Sequence, residues 1–299
     1  MSLVERAAAR WQEMSGGNGR ALKRPVIVPP TGVGERVATA PVSPARRERV
    51  APPVQNPNPP IQFDYQQLKA CGIADWSARS RLTEELRIIK RQLLRDAFGE
   101  GQDRKNRSNV IMVTSARPQE GKTFTSLNLA FSIVQDRHHH VLLIDADGTR
   151  QGIRRFVSNN SESGLLDVVG DPSLDTSHAI FPTGLERLSF VPAGAERQHG
   201  PELLASRGMR ALIEEIATRY DDRLILIDAP PCLVSSDAAT LAAIVGQVAF
   251  VIEADRTQRA EVEASLNLLQ ACPRISLILN KTQLETSDSF GAHRYPYYQ

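Results

Sequence analysis

Eight consecutive residues, Ala116-Arg117-Pro118-Gln119-Glu120-Gly121-Lys122-Thr123, have the types and spacing needed to grip a chain of phosphates. They follow an apolar run, Val110-Ile111-Met112-Val113, and open a helical pattern. In such a strand-loop-helix unit, successive backbone N–H groups curl around the phosphates. The lysine reaches the β and γ oxygens, and the neighbouring hydroxyl can ligate Mg2+. The run departs from G-x-x-x-x-G-K-[ST] only at its first position, where Ala116 stands. The expected contacts to ATP are Pro118, Gln119, Glu120, Gly121, Lys122, Thr123 and Phe124.

Two further segments carry the acids this chemistry needs. Val141-Leu142-Leu143-Ile144-Asp145-Ala146-Asp147 is an apolar strand ending in two carboxylates, and Leu224-Ile225-Leu226-Ile227-Asp228-Ala229-Pro230-Pro231 is a second run of the same kind. Ligands of an open parallel sheet sit outside the carboxyl ends of its strands, so acids placed there point toward a nucleotide and its metal. A lone strand-end Asp would ordinarily cap a helix or close a turn. Three matching pieces in one order favour a nucleotide site, with Lys122 on the phosphates and the acids Asp145, Asp147 and Asp228 aimed, beside Thr123, at Mg2+. Ile275-Ser276-Leu277-Ile278-Leu279 ends in Asn280, whose amide offers a donor and an acceptor to the edge of an adenine ring; the plainer alternative is a turn residue.

The elements that must position these groups alternate along the chain. Strands are expected at 109–115, 140–145, 188–192, 247–253 and 275–280, with one ending at Asp228. Helices are expected from Thr123 to about Asp136, near 152–157 and 163–169, from about Pro201 to Tyr220, and near 236–244 and 257–270. Near-continuous Val/Ile/Leu strands separated by helices indicate a mostly parallel sheet covered on both faces, a doubly wound α/β fold of the P-loop NTPase kind.

Composition divides the chain. The first sixty residues hold ten of the nineteen prolines and nine basic against four acidic residues, too little apolar surface to offset ordering entropy. The expected organisation is a short docking helix over 1–15, with Leu3, Ala7, Trp11 and Met14 near one face, followed by a disordered linker over 16–60. A catalytic domain follows over 61–281, and a flexible tail over 282–299. The formal charge of +2 is a property of the first sixty residues, whose own balance is +5, so the remainder lacks a nucleic-acid footprint. Cys71, Cys232 and Cys272 show no metal-ligand spacing and fit a reducing compartment. His138-His139-His140 reads as a solvated strand entrance, because consecutive residues there diverge in direction. No apolar run approaches the roughly 20 residues of a bilayer span, so a soluble, cytoplasmic protein is expected. Three of the five tyrosines, Tyr295, Tyr297 and Tyr298, fall in the last five residues, where no core is available to bury them.

In these features the chain resembles the bacterial P-loop tyrosine kinases, which carry a P-loop, a second strand ending D-x-D, a third followed by Pro-Pro, and a C-terminal tyrosine cluster. Within them it is most similar to the tyrosine autokinases of exosortase-associated exopolysaccharide loci. The likeness extends over about residues 80–299 and includes the opening Met1–Ala7, Glu84–Arg91 and Glu202–Ser206. It implies ATP- and Mg2+-dependent autophosphorylation of Tyr295, Tyr297 and Tyr298, with Asp145 accepting the phenolic proton and Asp228 holding a metal-bound water. It also implies control of polysaccharide polymerisation and export, and a tyrosine phosphatase acting in opposition. A membrane-spanning polysaccharide co-polymerase would be the activator, holding the kinase at the inner membrane. In the family a helix with the pattern E-x-x-R-x-x-R helps to build a ring. Here that helix spans 80–95, its positions are Glu84, Arg87 and Lys90, and Arg91 is expected to lie too far round to substitute. Gln119 stands where the family often has glycine, which implies a tighter loop, and Gln151 stands where many members have proline. The alternative is an ATPase switch similar to MinD and ParA. Those proteins carry a signature lysine early in the loop, where this chain has Arg117. A non-enzymatic scaffold is a third reading, and it leaves Lys122, Asp145 and Asp228 without a purpose.

Overall fold

The apolar runs become strands β1 (Val110–Ser115), β2 (His140–Asp145), β4 (Leu188–Val191), β5 (Arg223–Asp228), β6 (Gln247–Glu253) and β7 (Ile275–Asn280), with a two-residue β3 (Phe181–Pro182). They join into one sheet in the order β3-β4-β2-β5-β1-β6-β7. Only the β3–β4 pair is antiparallel. In this computed structural model the described residues are 58–73, 80–99, 107–136, 138–148, 152–157, 163–194, 200–219 and 222–282, all within the unit Pro53–Gln299. The expected docking helix, nearly all of the linker, and the tail with Tyr295, Tyr297 and Tyr298 lie outside them.

Alternation along each strand feeds two cores, as a doubly wound fold requires. Val110 and Met112 of β1 face a layer containing Ile213, Ile216, Leu241 and Leu269, whereas Ile111 and Val113 face Leu86, Leu93, Leu127 and Leu129. The first layer belongs to helices α4 (Leu165–Gly170), α5 (Gly200–Leu204), α6 (Arg207–Arg219), α7 (Asp237–Ala242) and α8 (Arg259–Leu269). The second belongs to α1 (Tyr65–Ala70), α2 (Arg81–Phe98) and α3 (Lys122–Val134). Among the described residues no helix is long and apolar enough to cross a membrane.

Two local features depart from the expected pattern. The single helix expected from Pro201 to Tyr220 is two, because the Ser206 hydroxyl accepts the Met209 N–H at 3.2 Å and starts a new helix there. The segment near 152–157 is a 3-10 turn, Ile153–Phe156. Helix α2 starts at a capping box, where the Ser80 hydroxyl accepts from the Thr83 N–H and the Thr83 hydroxyl accepts from the Ser80 N–H.

That helix also corrects the expected oligomer face. Glu84 and Arg87 pair at 2.7 Å on the outside, but Lys90 is buried, donating to the Ser132 carbonyl at 3.1 Å and to Asp136 at 2.9 Å. A step of three residues turns about 300°, so the third member of the pattern has rotated about 120° away from the first. Arg91, seven residues after Glu84, returns to within about 20° of it and is exposed. It therefore shares the Glu84 face that Lys90 leaves.

Candidate functional site

The site is built where β1, β2 and β5 end together. Strand β5 lies between the other two, with Asp228 in register with Asp145 on one side and with Val113 on the other. The loop leaving β1 therefore passes directly over both carboxylates.

Gly121 ends that loop at φ +101°, a left-handed conformation that glycine alone adopts freely. Helix α3 starts there with no side-chain cap, so its first N–H groups remain available to an anion. Lys122 is buried at the head of this helix and ion-pairs with Asp147. Burial works to lower the lysine's pKa, but the charges of Asp228, Asp147 and Asp145 outweigh it, and the ammonium is held above its ordinary value. The Thr123 hydroxyl donates to Asp228 Oδ2 at 2.7 Å. One turn further, the Ser126 hydroxyl reaches Asp228 Oδ1 at 3.0 Å and the Lys122 carbonyl at the same distance. Phe124 packs partly against the second core layer.

Asp145 Oδ1 accepts the N–H groups of Asp147 and Gly148 at 3.2 and 3.1 Å. Even so, burial pushes its carboxyl up to about 7, with the Asp228 charge adding to the effect. Asp228 is likewise raised by burial, to about 6, against the opposing pull of Lys122. The site therefore holds more acid than its one lysine neutralises. No group of three or more His, Cys, Asp and Glu side chains among the described residues is arranged to hold a metal on its own. A hard cation that keeps waters and draws on one or two carboxylates together with phosphate oxygens suits this donor set. The residues fit Mg2+ bound with a nucleotide.

The outer wall of the loop is a second network. Glu120 is buried, with one carboxylate oxygen accepting the Arg117 N–H at 2.8 Å and the other accepting the Thr257 hydroxyl. Arg117 itself pairs with Glu261 of α8. Asn280, expected to face an adenine edge, directs its Nδ2 to the Glu120 carbonyl at 2.9 Å, so one of that amide's two N–H donors is used within the chain. Gln119 sits at φ +67°, in the left-handed region that favours glycine. Pro118 and Gln119 are exposed at the rim.

Sequence reasoning brought Lys122, Thr123, Asp145, Asp147 and Asp228 to one place, as the structure does. It missed Ser126, Thr257, Glu261 and Lys281. For Ser126 a signal existed, since a second hydroxyl three residues after Thr123 falls on nearly the same helix face. For the other three, nothing local marks them.

A doubly wound sheet with a phosphate loop over two strand-end aspartates defines a P-loop nucleotide-binding protein. The AAA domain family matches residues 108–288. The tyrosine-protein kinase wzc of Salmonella typhimurium is 33% identical over 160 residues, 54% of this chain and 22% of that one. The putative tyrosine-protein kinase CapB of Staphylococcus aureus is 27% identical over 222 residues, 74% of this chain and 91% of the relative. The solved kinase domain of VpsO superposes with a TM-score of 0.53 at 31% identity, covering 68% of this chain and all of that one. The chain belongs to the AAA domain family and, within it, to the bacterial P-loop tyrosine kinases. It spans about a fifth of the length of the wzc kinase.

Proposed function

We propose that this protein is an ATP-dependent tyrosine autokinase that phosphorylates Tyr295, Tyr297 and Tyr298 of a neighbouring copy and thereby regulates exopolysaccharide polymerisation and export. The observation that carries this reading is the register of Asp145 with Asp228, under a loop that supplies Lys122 and Thr123.

A phenol ionises near pH 10, so its attack on phosphorus at neutral pH needs a base. Asp145, raised to about 7, is closer to that value than an ordinary carboxylate and is suited to take the proton. The bond from the tyrosine oxygen to the γ-phosphorus forms while the bond to the β–γ bridging oxygen breaks; ADP leaves and the phenolic proton resides on Asp145. In this scheme Lys122 exchanges Asp147 for β and γ oxygens, and Thr123 and Asp228 are the metal side of the site. Bound Mg2+ would supply charge neutralisation on the phosphate oxygens. Asp147 supports the site as a second acid.

The residues from 281 to 295 extend to roughly 46 Å, enough for a tail to reach an adjacent subunit. Each added phosphate brings about -1.5 to -2 charge, which Asp145, Asp147 and bound nucleotide would repel, expelling the tail. A homo-oligomeric ring built partly on Glu84, Arg87 and Arg91 fits this exchange. The activating partner is a membrane-spanning polysaccharide co-polymerase, which would hold the protein at the membrane surface, and a tyrosine phosphatase would reset the tail. The N-terminal segment 1–15 is proposed as the docking element and 16–60 as its tether.

The test mixes a Lys122→Met subunit bearing an intact tail with an active subunit whose three tail tyrosines are Phe, in labelled ATP and Mg2+. Label on the tyrosines of the inactive subunit is expected. ATP hydrolysis without any tyrosine label would leave the MinD/ParA-like switch as the better reading.

A further inference from the structure

Two carbonyls at the apex of the phosphate loop are tied down by one strand end. Lys281 Nζ donates to the Gln119 carbonyl at 2.7 Å, and Asn280 Nδ2 donates to the Glu120 carbonyl at 2.9 Å. In a trans peptide the C=O and the following N–H point in opposite directions. Holding the Gln119 carbonyl outward therefore aims the Glu120 N–H inward, and holding the Glu120 carbonyl outward does the same for the Gly121 N–H. These are the donors that must converge on an anion before α3 begins.

The tether is itself braced. Lys281 also pairs with Glu253 at 3.2 Å, and the Thr257 hydroxyl donates to the Glu120 carboxylate while accepting the Glu253 N–H at 3.1 Å. Lys281 and Gln119 both sit at positive φ, +58° and +67°. Non-glycine residues in that region persist where surrounding contacts over-determine them. Gly121 leaves room for the arrangement, since a Cβ there would lie 2.0 Å from Asn280 Nδ2.

We infer that Asn280 and Lys281 are positioning residues for the phosphates: they preset the N–H groups of Glu120 and Gly121, with one of the two Asn280 N–H donors committed to the loop. The inference rests on reading residues 116–123 as the phosphate cradle. It makes the contribution of both side chains independent of the nucleobase.

The experiment measures binding of ATP, GTP and inorganic tripolyphosphate, each with Mg2+, to the full chain and to Lys281→Met, Lys281→Arg, Asn280→Ala and Asn280→Asp. Lys281→Met is expected to weaken all three ligands by a similar factor, about tenfold for one charge-assisted hydrogen bond. Lys281→Arg should recover most of that loss, and the KM for ATP should rise with little change in kcat. Asn280→Asp should cost more than Asn280→Ala, because a carboxylate would face the Glu120 carbonyl. Unchanged thermal melting separates these effects from misfolding. Loss confined to ATP, with GTP and tripolyphosphate unaffected, would overturn the inference in favour of base recognition, as would unaltered binding of all three. Failure of the unsubstituted protein to bind any of them would instead remove the cradle assignment beneath it.

Discussion

Replacing Asp145 by Asn should stabilise the nucleotide-free protein while abolishing transfer. Asp145 is 1% exposed and its carboxyl is pushed from an ordinary 3.8 to about 7, chiefly by burial and then by the Asp228 charge. At about 1.4 kcal/mol per pH unit, ionising it inside the fold costs about 4 kcal/mol. The sign follows from linkage. Between pH 4 and 7 the folded chain retains a proton that the unfolded chain has released, so stability declines as pH rises through this window and is then level. Asn keeps an oxygen to accept the Asp147 and Gly148 N–H groups but never ionises. The two proteins should therefore be equally stable near pH 3.5, and the Asn variant should be ahead by up to about 4 kcal/mol at pH 8. The assay is urea unfolding with EDTA present, repeated at half-unit pH steps. A difference that is absent at pH 8, or that does not vary with pH, would show that the buried carboxyl does not carry the strain assigned to it. With Mg2+ and ATP added, the order should reverse, because the unsubstituted site then has a cation to neutralise.

Gly121→Ala combines a strained φ of +101° with a Cβ 2.0 Å from the Asn280 amide; titration with ATP should show at least a tenfold loss of affinity, and near-native binding would count against the tight loop geometry. Lys90→Ala strands the Ser132 carbonyl and should lower stability by about 1–3 kcal/mol in urea unfolding. Its oligomer size, read by light scattering, should be unchanged, since the ammonium faces its own subunit; dissociation without loss of stability would return Lys90 to the interface.

Much of the site was legible in the chain because its pieces are local. The loop Ala116–Thr123 and the strand-end acids Asp145 and Asp228 are each specified by a short run whose meaning does not depend on distant residues. The strand runs are equally local, since a parallel sheet buried on both faces needs unbroken Val/Ile/Leu stretches. The antiparallel β3 escaped notice because two residues carry no periodicity. The break at Ser206 escaped because a cap is visible only once the helix it starts is known.

The sequence by itself determined which chemical groups the site contains and the order in which strands deliver them, because motif and hydrophobic period are properties of neighbouring residues. Only the tertiary structure decided how those groups are held and charged. Asn280 and Glu120, 160 residues apart, meet because β7 takes the sheet edge beside β6, next to β1. Lys90 turns inward because α2 packs on α3, whose last turn leaves the Ser132 carbonyl to be satisfied. Asp145 has its raised carboxyl because the packed layers bury it and, to a lesser degree, because β5 sets Asp228 beside it. Burial and long-range pairing arise from strand order and helix packing, which no single segment of the chain encodes.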